Sequence, residues 1–170
     1  MVISTIETDN LFLKPLNTSF LSKKYVDWLN DPEVIEYMST GGNYTLDKLN
    51  SYLLEVEKSQ MLFWAITIKK QGDHIGNIKI DPIALDKRSG EYGIMIGDKK
   101  YWGKGFGKEA SSAIINFCFS PSINLFEITL GVKKDNFKAI NLYRELGFIE
   151  YNNDKKVLSN NSEIRMFLKK

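Results

Sequence analysis

Tyr101-Trp-Gly-Lys-Gly-Phe-Gly-Lys-Glu-Ala110 is the stretch on which the reading of this chain turns. Before it lies a strand pattern, Glu91 to Ile96, closed by Gly97-Asp98. After it, Ala110, Ala113, Ile114, Phe117 and Cys118 fall at helical spacing. Gly103, Gly105 and Gly107 therefore join a strand to a helix. The first amides of a helix have no internal partner, sit at the positive end of the dipole and bind phosphate groups. Lys100, Lys104 and Lys108 add positive charge, so the expected ligand is a pyrophosphate. The dinucleotide fingerprint needs G-x-G-x-x-G in a first βα unit, but the spacing here is G-x-G-x-G and several strands precede it. The nucleotide P-loop needs Ser or Thr after Gly-Lys, and Glu109 follows Gly107-Lys108.

Downstream, Phe126, Ile128, Leu130 and Val132 alternate with Glu127, Thr129 and Gly131 as a strand. Asp135 or Asn136 caps a helix with Ala139, Ile140, Tyr143 and Leu146 inward, and Gly147 sits just past its end. Two closing strands, near Phe148–Asn152 and Glu163–Leu168, flank a polar turn at Ser159-Asn160-Asn161. Upstream, Leu62 to Ile68 reads as a strand buried on both faces. Gln71-Gly72-Asp73 turns the chain into a strand over 74–81 that Pro82 ends. Earlier still, a short strand at Leu11–Leu16 precedes a helix capped by Thr18 or Ser19. An Asp31-Pro32 helix start and a helix capped by Thr45, with Leu46, Leu49, Leu53 and Val56 on one stripe, complete the pattern. The order predicts an α/β or α+β domain with a mixed sheet. No linker or repeat divides the 170 residues, so one domain over 1–170 is expected.

Trp102-Gly-Lys-Gly-Phe-Gly107 resembles the acyl-CoA loop of the GNAT N-acetyltransferase superfamily, Gln/Arg-x-x-Gly-x-Gly/Ala. Trp102 replaces the usual Gln or Arg, as in the branch that holds ribosomal-protein N-terminal acetyltransferases and amino-sugar acetyltransferases. Asn136-Phe-Lys-Ala-Ile-Asn-Leu-Tyr-Arg-Glu-Leu-Gly-Phe148 is similar to the family's Asn-x-x-Ala-x-x-x-Tyr-x-x-x-Gly-Phe. The resemblance implies a mixed, mostly antiparallel sheet of six to seven strands flanked by helices, with acetyl-CoA as cosubstrate. It gives Trp102, Gly103, Lys104, Gly105, Phe106, Gly107, Lys108 and Asn136 to CoA binding. It sets Ile94, Met95 and Ile96 along the pantetheine arm, an amide near Met95 polarising the acetyl carbonyl. By the same resemblance Tyr143 protonates the departing thiolate. Read from the residues alone, Asn136 is also an N-cap and Tyr143 a core aromatic.

Acetyl transfer needs a neutral amine, whereas an alkyl amine of pKa near ~10.4 is mostly protonated at neutral pH. Glu91 is the expected base, often acting through a water, or else a strand-end surface charge; His74, Asp81 and Tyr92 are weaker candidates. Cys118 reads as core. His74 is the only histidine, so no multi-histidine metal site is possible and no metal is expected. A net charge of +2 argues against a nucleic-acid binder. One cysteine, no signal peptide and no apolar run long enough for a bilayer point to a cytoplasmic protein.

The acceptor site is expected between Trp28–Pro32, Tyr37–Tyr44 and the loop Ile83–Ser89, where Asp86-Lys87-Arg88 suits a phosphate. Trp28-Leu-Asn-Asp-Pro32 and His74-Ile-Gly-Asn-Ile-Lys-Ile80 look most like acetyltransferases of nucleotide-linked amino sugars. A protein N-terminus is the alternative acceptor, with aminoglycosides and polyamines behind it. A non-catalytic acyl-CoA-binding domain is the rival of another class. A homodimer is compatible with the resemblance.

Overall fold

The computed structural model describes residues 3–39, 42–59, 61–151 and 162–170. The turn expected at 159–161 lies outside them, as does the end of the strand expected over 148–152. Among the described residues, eight strands form one sheet: β1 (Ile6–Glu7), β2 (Leu11–Pro15), β3 (Leu62–Ile68), β4 (His74–Ala84), β5 (Ser89–Ile96), β6 (Glu127–Lys133), β7 (Ile149–Glu150) and β8 (Glu163–Lys169). Their order is β1-β2-β3-β4-β5-β6-β8-β7, and every pair is antiparallel except β5 with β6. The helices are α1 (Lys23–Asn30), α2 (Pro32–Ile35), α3 (Leu46–Lys58), α4 (Phe106–Phe119) and α5 (Phe137–Glu145).

β3 shows why the sheet is covered on both faces. All seven of its residues are buried. Phe63 and Ala65 pack with Tyr25, Trp28, Leu29, Leu49 and Leu53 of α1 and α3. Leu62, Trp64 and Ile66 point the other way, into a core shared with Ala110 and Ile114 of α4 and Ile140 of α5. The period-2 alternation of a strand thus feeds two apolar layers, as its continuous hydrophobic run requires.

Helix starts follow their caps. Thr45 accepts from Lys48 N, Asp31 from Glu33 N ahead of Pro32, and Asn136 from Ala139 N. The first helix begins later than Thr18 or Ser19 would set it. Asn17 caps a single 3₁₀ turn over Thr18–Phe20, Leu21 is extended, and Ser22 caps α1 by accepting from Tyr25 N. Leu46 is exposed rather than on the buried stripe of α3. β4 runs two residues past Pro82, because a register irregularity between Ile80 and Ile83 accommodates a residue with no N–H to donate.

The parallel pairing of β5 with β6 covers only Ser89↔Glu127, Gly90↔Ile128 and Glu91↔Thr129. Beyond it the strands part. β5 continues to Ile96 paired with β4 alone, and β6 continues to Lys133 paired with β8 alone. A wedge opens inside the sheet, and Trp102 of the glycine motif and Asn136, Phe137, Lys138 and Tyr143 of the second motif line it.

Candidate active site

The wedge is part of a cleft of about 870 Å³, at the upper end of the range for small-molecule sites. Its walls are β5 from Tyr92 to Ile96, Trp102, the end of β6 with residues 131–133, and Asp135 to Lys138 with Tyr143. On the α1–α3 side it reaches Tyr25, Leu29, Tyr44 and Tyr52, with Asn77 and Lys79 from β4.

Strand parity decides which backbone groups face the gap. Gly97 N–H donates to Ile75 O at 2.9 Å. In an antiparallel ladder, directly opposed residues that exchange hydrogen bonds recur every second position. Met95, opposite Asn77, and Gly93, opposite Lys79, therefore bond to β4. The N–H and C=O groups of Ile94 and Ile96 point toward the wedge, beyond the last rung of the β5–β6 pairing at Glu91↔Thr129. Of the Ile94-Met95-Ile96 run expected along the pantetheine arm, the amides on the wedge side are those of Ile94 and Ile96, either side of Met95. The Met95 side chain packs on the α1–α3 face, and Ile94 and Ile96 pack against the α4–α5 core.

Past Trp102, in residues that do not themselves line the cleft, Gly103 and Gly105 have φ of 70° and 84°. No other atom lies within 4 Å of where a Cβ would stand on either, so backbone conformation rather than crowding demands glycine there. Gly105 is the N-cap of α4 and supplies no side-chain cap. The first helical bond is Glu109 N–H to Gly105 O at 3.0 Å, which leaves the amides of Phe106, Gly107 and Lys108 directed outward. These unpartnered donors suit a pyrophosphate. Of the lysines, Lys108 pairs with Glu145 at 2.9 Å, Lys100 lies 3.8 Å from Asp73 and Asp98, and Lys104 sits over the Tyr101 ring. Trp102 does what the motif alone did not reveal. Its indole N–H donates to Ile96 O at 2.7 Å and ties the loop to the free edge of β5.

Two further anchors escaped sequence reading. Glu109 accepts from Thr8 Oγ1 at 2.6 Å and Asn10 N at 2.7 Å, pinning the start of α4 to the β1–β2 turn. Ser111 Oγ donates to Gly107 O and so accepts from Tyr92 Oη, both at 2.6 Å. That accounts for Tyr92: its hydroxyl is spent on α4, it is 5% exposed, and burial pushes its pKa well above the ordinary value.

Tyr143 lies in α5 against Tyr92 and Phe148, 8% exposed and lining the cleft. Burial pushes its pKa up to about 12. Asn136 caps α5 and also lines the cleft. Glu91 does not line it. Its carboxylate receives both Arg165 guanidinium nitrogens, at 2.7 and 2.8 Å, across the closed end of the wedge. The two-pronged guanidinium contact ties β5 to β8 at this point. The other candidates fare no better. His74 is enclosed by Phe20, Tyr25 and Trp28, and burial holds its pKa at about 4. Asp81 lies 3.5 Å from Lys79. Arg88, expected to greet a phosphate, donates instead to Asn124 O and Oδ1, and no residue of 83–89 lines the cleft. Cys118 is fully buried, as read from the sequence.

The profile of the Acetyltransferase (GNAT) domain matches residues 10–149. The chain belongs to the GNAT acetyltransferase family. It is 27% identical over 153 residues to the uncharacterised N-acetyltransferase p20 of Bacillus licheniformis, covering 86% of this chain and 83% of that one. Over 81 residues it is 33% identical to spermidine N(1)-acetyltransferase of Escherichia coli K12, 48% of this chain and 42% of that enzyme. The crystal structure of Vibrio cholerae spermidine N-acetyltransferase with CoA and spermine superposes with a TM-score of 0.81, covering 95% of this chain and 96% of that one. At 23% identity this last likeness is one of fold. This GNAT enzyme is an acetyl-CoA-dependent N-acetyltransferase, and among its described residues no helix is long and apolar enough to cross a membrane.

Proposed function

We propose that this chain transfers acetyl from acetyl-CoA to a primary amine of a nucleotide-linked amino sugar, by direct attack on the thioester in the wedge between β5 and β6. The observation that carries the site is the splayed strand pair, with the unpaired edge of β5 on one side and Tyr143 on the other. The outward amides of Phe106 to Lys108 hold the pyrophosphate. The wedge-facing groups of Ile94 and Ile96 pair with the pantetheine amides, as an added strand would, and polarise the acetyl carbonyl. The amine nitrogen attacks the carbonyl carbon, the C–S bond breaks, and the leaving thiolate takes the Tyr143 proton. The proton shed by the new amide returns to Tyr143. Burial keeps that hydroxyl protonated at every pH below about 12, and the same burial disfavours a naked thiolate beside it. Because Glu91 is engaged by Arg165, the amine enters as its free base.

For the acceptor, charge supports the sugar reading. Lining carboxylates Glu33, Glu36 and Asp135 are balanced by lining lysines Lys79, Lys133 and Lys138. A polycation gains no net attraction from such a wall. The resemblance to spermidine N(1)-acetyltransferase favours a polyamine as the second reading.

Free-thiol release from acetyl-CoA tests both, across nucleotide-linked 4-amino-sugars, spermidine and peptides with free Ala or Ser N-termini. Turnover on the amino sugar is expected, falling about 10²–10³-fold in Tyr143→Phe with melting temperature unchanged. Its kcat/KM should climb with pH toward the amine's own pKa, without a bell. Turnover confined to spermidine sinks the sugar reading. Tight CoA binding without turnover on any amine sinks the catalytic one.

A further inference from the structure

One buried polar group is left unpartnered by the fold. Asn77 on β4 is 3% exposed, and its Nδ2 meets no acceptor among the described residues. It lines the cleft on the α1–α3 side, between Ala65 and Met95 on the neighbouring strands. Its orientation is dictated. His74 Nε2 lies 3.0 Å from Gly76 O and 3.0 Å from Asn77 Oδ1. A carbonyl only accepts, so Nε2 must carry a proton, and Asn77 must present its oxygen to that proton. The amide nitrogen is thereby turned away from His74. His74 cannot swing aside, because Phe20, Tyr25 and Trp28 pack edge-on around it.

A buried N–H without an acceptor destabilises a fold, and natural structures hold few of them. The tyrosines Tyr25, Tyr44 and Tyr52 line the same region, where burial raises the Tyr25 pKa and Tyr52 and Tyr44 add smaller pushes. The surroundings are aromatic and polar. What Asn77 Nδ2 lacks is an oxygen. A hydroxyl, a ring oxygen or an acylamino carbonyl supplies one, whereas protonated polyamine nitrogens are donors only.

We propose that Asn77 Nδ2 donates to an oxygen of the acceptor and so selects oxygen-bearing amines, with His74 as the positioning residue that fixes the amide. This rests on acetyl transfer in the same cleft. The test compares kcat/KM for a nucleotide-linked 4-amino-sugar and for cyclohexylamine in the wild type, Asn77→Leu and His74→Phe. Acetyl-CoA KM and melting temperature are read alongside. Asn77→Leu removes an unsatisfied donor at similar volume, so its melting temperature should hold or rise. Its KM for the sugar should increase about tenfold, with the KM for acetyl-CoA and turnover of cyclohexylamine unchanged. His74→Phe should lose part of the same preference through KM rather than kcat. Should leucine crowd Met95, Asn77→Ala carries the same expectation. An undiminished sugar preference in the Asn77 variants overturns the proposal while leaving acetyl transfer intact. So does a wild type that shows no preference. A wild type inactive on every amine removes the acetyl-transfer reading and the proposal with it.

Discussion

His74 makes the acid stability of this protein calculable. Burial in its aromatic enclosure lowers its pKa to about 4, with a smaller push from Lys24, while the hydrogen bonds to Asn77 and Gly76 act the other way. The unfolded chain has the ordinary value of about 6.5. Between about 6.5 and about 4 the unfolded state therefore binds a proton that the native state refuses. The sign follows: the contribution is present above about 6.5 and is lost as pH falls toward about 4. A difference of about 2.5 pH units at ~1.36 kcal/mol each is about 3 kcal/mol. For a chain of this size that is a fall of roughly 6–12 °C in melting temperature. The assay is a series of urea and thermal melts from pH 8 down to 4.5 on the wild type and on His74→Phe. Carboxylate contributions are common to both proteins and cancel in the difference. The variant should gain on the wild type by about 3 kcal/mol as pH falls. Parallel curves over the whole range would falsify the assignment of a neutral, proton-refusing imidazole to this site.

Gly105→Ala should cost about 1–2 kcal/mol of backbone strain at φ 84°, since its Cβ meets open space. Calorimetric titration should show weakened CoA binding, and an unchanged affinity would mean the α4 amides do not hold the pyrophosphate. Glu91→Gln should lower kcat/KM less than fivefold and stability by about 1 kcal/mol, because the pair with Arg165 is partly exposed. A drop of 10²-fold or more at unchanged stability would restore Glu91 as the base.

What the sequence disclosed was local. The G-x-G-x-G run, Asn136 as a cap and Gly147 beyond the helix each declare themselves within one turn of chain, and all three stand where read. The alternation in Leu62–Ile68 carried the two-faced burial of β3. What stayed hidden was contact between residues far apart in sequence. Glu91 and Arg165 are 74 positions apart, and Glu109 reaches back 101 to Thr8. Nothing near either residue announces its partner, because the partner is chosen by strand order. The Arg165 contact of Glu91 was hidden for that reason: a strand-end carboxylate has the same signature whether it faces substrate or a guanidinium. Which amides of Ile94-Met95-Ile96 face the gap was not legible, because only a hydrogen bond at Gly97 sets the parity of β5. The two-residue strand β1 was missed because two residues carry no period.

The three-rung join between β5 and β6 also orders the birth of the molecule on the ribosome. Strands β1 to β5 stand in the sheet in the sequence in which they are synthesised, each beside its predecessor. That meander can assemble before β6 emerges, since each partner is already in place. Until then β5 is an outer strand with a bare edge, open to pairing with another nascent chain. The late block of β6, α5, β7 and β8 caps that edge over three residues and leaves the remainder open on purpose. In a chain that folds as it is made, the cleft is complete only when β6 joins the β1–β5 meander, the same event that covers the bare edge of β5.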